Sequence, residues 1–348
     1  MRLQSSTPLR ARTAANAAMY TLHLVPAALL LFCLALLHPA ALTAQAAPLG
    51  APPSLPSTLQ RHYQNGEIIA YRMQGDNQGH LQTTRYQALA NGVVNENSSG
   101  TFVEEFAWSH VHVNGATVPL TSASRQFREY LSLAPGFGLS IPDLSQVQPI
   151  LIGPITDLLT IYADVQLAMR QRTLQRPGDH TFIKYGRPNS WADGRRVLLG
   201  QDAIDFDITL QSIDPARQVA TLIVRHVPPV QPQIQLPADW MNPPIGDTPN
   251  NWVQIEKVSN GKFVAGVGRE TFEDTIEVSI PTGSIVSATL DNPVQILERD
   301  CTDRTLTNCS APMRYRIHRQ VMLDALHARE EDSSPQAATP VIRPAAAH

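Results

Sequence analysis

Apolar and polar residues alternate with a period of two along much of this chain, the pattern of β-strands with one buried and one solvated face. The clearest example runs from Ile276 to Ile280, where every second residue is apolar. Asn114-Gly115 and Asn260-Gly261 each separate two β-rich runs. Asn-Gly favours a type I′ hairpin because both turn positions need a positive φ. The body of the chain is therefore predicted to be mainly antiparallel sheet.

One segment has a helical period instead. Between Pro154 and Arg176, apolar residues recur at three- and four-residue steps, namely Leu158, Tyr162, Val165 and Met169. Thr156 is a candidate N-cap, and Pro177-Gly178 supplies a stop. The predicted fold class is α+β: a mainly antiparallel β-sheet, as a curved sheet or half-barrel, packed on one long amphipathic helix.

The N-terminus has the layout of a secretory signal peptide. No acidic residue precedes Glu67, an apolar run spans Leu24 to Leu37, and Ala44-Gln45-Ala46 follows it as a small-x-small exit. The apolar run is shorter than the roughly 20 residues that cross a bilayer as a helix. Residues 1–46 are predicted to be cleaved, which places the protein in the periplasm or outside the cell without a permanent membrane span. An uncleaved N-terminal membrane anchor is the alternative.

The remaining chain divides by composition. Residues 47–58 are rich in proline and are predicted to be a disordered spacer, and residues 330–348 a disordered tail. Residues 59–329 are expected to form a single β-rich domain. Residues 228–249 hold seven prolines, so they cannot form a central strand. They are interpreted as a packed crossover or as a linker that subdivides the domain.

Composition and cysteine usage narrow the class further. The chain is 43% hydrophobic and 16% charged, enough apolar residues for a sizeable core, and its formal charge is −3. Its three lysines and scattered arginines form no basic stripe, so nucleic acid is not an expected partner. Cys301 and Cys309 are predicted to form a disulfide in an oxidising compartment, and half of a metal site is the alternative.

Two pairs of residues are candidate sites. His110 and His112 are two apart on a predicted strand, as paired metal ligands often are, but a third ligand is not evident. Asp205 and Asp207 share a strand face and could perform acid–base chemistry. Pairing Val224 with either Phe206 or Ile208 in the neighbouring strand would put Arg225 opposite one of these aspartates. A cross-strand ion pair then explains them without catalysis.

No nucleophile elbow, His-Glu-x-x-His pair or phosphate-binding loop occurs in the sequence, and no cofactor is predicted. The favoured function is a non-enzymatic envelope or extracellular binding or carrier protein with an apolar groove. Its expected partner is an apolar small molecule or an envelope protein. A secreted metal-dependent or carboxylate hydrolase is the alternative, and a structural assembly component is a third option.

Overall fold

Fifteen strands and two helices make up the described part of the chain. The computed structural model describes residues 53–55, 58–79, 83–185, 191–192, 196–200, 204–227, 238–241, 250–258 and 261–326. The predicted signal peptide and C-terminal tail lie outside these ranges. The helices are α1 (Ser122–Gln126) and α2 (Pro149–Met169). The strands are β1 (Ile68–Gln78), β2 (Thr83–Glu96), β3 (Phe102–Val113), β4 (Ala116–Thr117), β5 (Glu129–Leu131), β6 (His180–Tyr185), β7 (Trp191–Ala192), β8 (Arg196–Gly200), β9 (Ile204–Asp214), β10 (Val219–Val227), β11 (Asn250–Lys257), β12 (Phe263–Glu270), β13 (Glu273–Ser279), β14 (Ile285–Cys301) and β15 (Met313–Ala325).

All strand pairs in the described residues are antiparallel, as the alternation predicted. The longest path through the open sheet is β4-β3-β2-β1-β15-β14-β12-β11-β8-β7, and a second branch runs from β14 through β13, β10 and β9 to β6. The branch point lies within β14. Its residues 285–291 pair with β13, whereas residues 294–301 pair with β12.

The predicted hairpins are confirmed. Asn114 and Gly115 both have positive φ, 49° and 82°, between β3 and β4. β11 pairs with β12 across the second Asn-Gly site, where Gly261 has a φ of 72°, while Asn260 lies outside the described residues. β13 alternates between buried and partly exposed residues, and Gly283 turns the chain into β14.

The main helix begins and ends earlier than predicted. α2 spans Pro149–Met169 with Gln148 at the N-cap, so Thr156 lies inside the helix and donates a hydrogen bond to the Ile152 carbonyl, 2.9 Å away. The four apolar residues of the predicted stripe are all buried. Asp157, Asp164 and Gln166 are also buried, which the amphipathic prediction did not include.

The length and apolar composition of α2 would suffice for a membrane span, but two thirds of that window is buried inside the protein. The larger of two apolar cores contains α2 side chains together with residues of β1, β2, β3, β10, β13, β14 and β15. α2 is therefore a core helix, with its least buried stripe formed by the small residues Gly153, Thr156, Thr160 and Ala163.

The second, smaller core lies around the disulfide. Met241 and Val253 pack there with Cys301, which is bonded to Cys309. Trp240 donates a hydrogen bond to the Leu306 carbonyl, 2.7 Å away. Residues 238–241 of the proline-rich segment are thus packed against this core, while the rest of residues 228–249 lies outside the described residues. Leu55 of the predicted spacer is also buried, in the larger core.

Reducing the disulfide should lower the free energy of unfolding by about 2–3 kcal/mol, the value expected for closing a short loop. Peptide mass mapping after alkylation in denaturant without reductant should find no label on Cys301 or Cys309. A parallel sample treated with reductant should carry two labels on these positions. Two labels before reduction would contradict the disulfide.

Candidate functional site

The two histidines proposed as metal ligands lie at a bulge. His110 and Val111 together oppose a single residue of β2, Ala88, and His110 has a φ of 49°. The strict alternation behind the shared-face prediction therefore does not hold at this point. His110 Nδ1 lies 3.0 Å from Ser109 Oγ, and His112 Nδ1 lies 3.0 Å from the His110 carbonyl. Within the described ranges, no group of three or more His, Cys, Asp or Glu residues is arranged to hold a metal ion.

The two aspartates differ in environment. Asp205 is buried, at 4% exposure, whereas the Asp207 side chain is 35% exposed. Val224 pairs with Ile208, so Arg225 stands opposite Asp207, which is one of the two predicted registers. However, Arg225 Nε makes its ion pair with Glu273 on the other neighbouring strand, at 2.6 Å. The two aspartates therefore differ in their exposure to solvent, and only Asp207 is partly accessible.

A groove of about 680 Å³ crosses the neighbouring strands β1, β15, β14 and β13 and reaches Arg85 and Tyr86 of β2. Two rows of outward-facing residues line it, each crossing the strands in register. The first row is Gln74, Met322, Thr289 and Thr275, and the second is Asp76, Gln320, Asp291 and Glu273. At about 4.8 Å between strands, each row is about 14 Å long.

Each carboxylate in this groove already has a partner. Asp76 pairs with Arg85 at 2.9 Å, and Glu273 with Arg225. Asp291 accepts hydrogen bonds from Gln320 Nε2 at 3.1 Å and lies 2.6 Å from His318 Nε2. The groove thus offers amides, hydroxyls and locally paired charges, and its apolar lining comes from Tyr86, Leu290, Val321 and the half-exposed side chain of Met322.

Beneath the groove, on the opposite face of the sheet, lies a buried charge cluster, in which Arg319 is the least buried side chain at 23% exposure. We give this name to Asp157 and Asp164 of α2, His226 of β10, Glu270 of β12, Asp274 of β13 and Arg319 of β15. Along β13 and β15, residues that line the groove alternate with residues of the buried charge cluster. Glu273 and Thr275 line the groove on either side of Asp274, and Gln320 follows Arg319.

Arg319 is the permanent cation of the buried charge cluster. Its Nη1 lies 2.8 Å from Asp157 Oδ1, and Tyr86 donates a hydrogen bond to Asp157 Oδ2, 2.8 Å away. Burial raises the pKa of Asp157 and of Glu270, and the charge of Arg319 opposes both shifts. Burial lowers the pKa of Arg319, but Asp157 and Glu270 more than reverse this, so its pKa lies above the ordinary value.

The other half of the cluster holds Asp164, Asp274 and His226. Asp164 and Asp274 are near enough for each carboxyl group to affect the ionisation of the other. Burial raises the pKa of Asp164 to about 7, and burial and the neighbouring Asp164 raise that of Asp274 well above its usual range. Burial therefore favours the protonated form of this pair over two neighbouring carboxylates.

His226 is held between two aromatic rings. Its ring stacks on Phe272 at 4.7 Å and contacts Phe206 edge-on at 4.7 Å. Nε2 lies 3.6 Å from Asp164 Oδ2, and neither ring nitrogen has a hydrogen-bond partner among the described residues. Burial lowers the pKa of His226 to about 4, against the opposing charges of Asp274 and Glu270, so the imidazole is neutral at pH 7.

A second set of buried polar residues joins β1, β3 and α2. Tyr162 donates a hydrogen bond to Glu104, and its hydroxyl lies 3.4 Å from that of Tyr71. Arg61 Nε lies 3.5 Å from Glu104 Oε1, and Arg61 Nη2 lies 2.8 Å from Glu67. Burial raises the pKa of Glu104, whereas Arg61 and Tyr162 lower it. Arg61 is the cation that faces both carboxyl groups of this set, and none of its members lines the groove, so we assign it to the stability of the core.

Sequence reasoning missed both sites, although a signal was present. Asp274 falls in the same alternation as the buried Ile276 and Val278, and Arg319 in that of Val321 and Leu323. A charged residue at a predicted core position indicates a buried polar network. The groove had no such signal, because its residues come from strands distant in sequence.

Comparisons with known proteins add no functional information. No protein-family model matches the chain, and no curated relative matches it. A protein assigned as AttH from Nitrosomonas europaea is 8% identical over 78% of this chain and 97% of its own, with a TM-score of 0.15. The outer membrane protein OmpT of Vibrio cholerae is 6% identical over 76% of this chain and 100% of its own, with a TM-score of 0.14. Neither likeness carries an argument, since both TM-scores are far below 0.5.

Proposed function

We propose that this protein is an exported, non-enzymatic binding protein that holds a small, neutral, hydroxyl-rich molecule, of the saccharide class, in the groove. The observation that carries this proposal is that every carboxylate lining the groove already has an ion-pair or hydrogen-bond partner. Its volume is in the range of small-molecule sites. Amide and hydroxyl groups of Gln74, Gln320, Thr275 and Thr289 can donate and accept hydrogen bonds across its full length.

Export is supported by two independent features. The first is the signal-peptide pattern of residues 1–46, and the second is the disulfide between Cys301 and Cys309, since such bonds persist in oxidising compartments. In this proposal, the mature protein works in the periplasm or outside the cell. The sheet curves around α2 as a half-barrel, with the groove on its solvent side.

The ligand we now propose is polar, whereas the sequence favoured an apolar one. The apolar prediction assumed that part of the apolar sheet face would be left for a ligand. α2 and the larger core pack on that face, and the groove on the opposite face has a mixed lining, in which amides, hydroxyls and paired charges stand beside apolar surface. A neutral ligand is favoured over an ion, because an ion would have to displace the existing partners of Asp76, Asp291 or Glu273.

The purified protein should bind neutral oligosaccharides on a glycan array, and titration calorimetry should confirm the strongest binder. Gln320→Leu should weaken that binding about tenfold, since it removes hydrogen bonds and leaves Asp291 without its amide donor. Gln295→Leu is the matched control, because Gln295 is exposed on β14 and does not line the groove.

Two outcomes would overturn the proposal. One is the absence of any oligosaccharide binding by either method. The other is uptake of a fluorescent fatty acid probe that Gln320→Leu leaves unchanged, which would favour an apolar carrier with its site elsewhere.

A further inference from the structure

The buried charge cluster contains more carboxyl groups than cations. Within the described part of the chain, Asp157, Asp164, Glu270 and Asp274 face one permanent cation, Arg319, and one neutral imidazole, His226. Buried charges are tolerated only when they are paired or neutralised. Arg319 compensates Asp157 directly and opposes the charge of Glu270, so the remaining pair, Asp164 and Asp274, depends on protons.

These groups have few alternative partners. Apart from Asp164, neither carboxylate oxygen of Asp274 finds a hydrogen-bond donor among the described residues, and the ring nitrogens of His226 also lack one. The side chains of Asp164 and His226 are only 3% and 7% exposed. Water therefore cannot solvate a second negative charge here without some separation of α2 from the sheet.

We propose that Asp164, Asp274 and His226 form a proton-operated switch beneath the groove, in which ionisation of both aspartates loosens β13 from α2 and displaces the groove wall. β13 is the strand through which the effect would pass, because Asp274 points to the cluster while Glu273 and Thr275 point to the groove. The switch goes beyond the proposed binding function and does not require it.

The direction of the pH effect follows from the individual groups. Asp164 and Asp274 have raised pKa values in the folded state, so their contribution to stability is present at low pH and declines as the pH rises from about 4. His226 has a lowered pKa and acts oppositely, losing its contribution as the pH falls from about 6.5 to 4. The two effects oppose each other below pH 6.5, whereas only the acids change above it.

Other charged groups face the switch from the neighbouring elements. They are Arg319 of β15, Glu270 of β12 and Asp157 of α2, and Tyr86 of β2 faces Arg319. Burial also raises the pKa of Asp157 and of Glu270, so these two groups reinforce the loss of stability at higher pH. Arg319 does not titrate in this range and limits the effect.

Hydrogen exchange can test the switch without any ligand. Between pH 6.5 and 8.5, the amide protection factors of β13, corrected for intrinsic exchange, should fall at least tenfold in the wild-type protein. Asp274→Asn keeps the shape of the side chain but cannot ionise, so its β13 protection should vary less than threefold. Asp164→Asn should behave in the same way and serves if the first variant does not fold.

Glu129→Gln provides the matched control. Glu129 is another buried carboxyl group with a raised pKa, but it lies in β5 and bonds to Trp108. This variant should keep the wild-type pH dependence in β13. The switch would be overturned if the β13 protection of the wild-type protein did not change with pH. It would also be overturned if both aspartate variants kept the wild-type dependence of protection on pH. Either result leaves the glycan-binding test unaffected.

Discussion

Arg319→Met is expected to lower the free energy of unfolding by about 3–5 kcal/mol at pH 7, the usual cost of removing one partner from a buried ion pair. Asp157 would lose the cation 2.8 Å away, and Glu270 and Asp274 would lose their nearest permanent positive charge. Methionine fills a similar volume, so the loss reports on charge more than on packing. Arg319 also lies over the ring of Phe272, which adds to the cost.

Urea unfolding followed by circular dichroism would measure this loss. Arg316→Met is the control, since Arg316 is exposed on the same strand, and surface charges of this kind contribute at most about 1 kcal/mol. Adding Asp157→Asn to Arg319→Met should restore part of the stability, because it removes the uncompensated carboxylate. Equal losses for the two arginine variants would contradict the role assigned to Arg319.

The sequence predicted the strand-rich α+β class and several turns for local reasons. Asn114-Gly115 and Gly283 specify positive φ by themselves, and the alternation in β13 identifies its buried face. The disulfide was also predictable, since Cys301 and Cys309 are close in the chain. These features need information from only a few neighbouring residues.

The functional arrangement depends on long-range pairing and was not predictable in the same way. β14 pairs with β13 along its first half and with β12 along its second, and this branching brings Glu270 and Asp274 within the influence of the same cation, Arg319. Asp157 and Asp164 are seven residues apart on α2, so they share one side of it. The prediction of an amphipathic helix was based on its apolar residues and did not include these two charged residues.

Gly283→Ala is expected to be strongly destabilising, because both the backbone angle and the available space exclude a side chain. Gly283 has a φ of 67°, and a Cβ atom would lie 2.1 Å from the Gln60 carbonyl oxygen. The segment around Gln60 could relieve this contact only by moving away from the turn between β13 and β14. His62 donates a hydrogen bond to the Thr282 carbonyl at this point, 2.8 Å away, and it would be lost.

Gly66→Ala separates the two contributions to this cost. Gly66 also has a positive φ, 80°, but nothing lies within 4 Å of the position that a Cβ atom would take there, so only the backbone penalty of about 1 kcal/mol applies. Gly283→Ala should cost at least about 2 kcal/mol more in urea unfolding, as expected for strain that adds to a lost contact. Displacing Gln60 would also shift Arg61, which pairs with Glu104 in the larger core. If both variants lost the same stability, the N-terminal segment would not be held against this turn, and Glu104 would have to be neutralised by protonation instead.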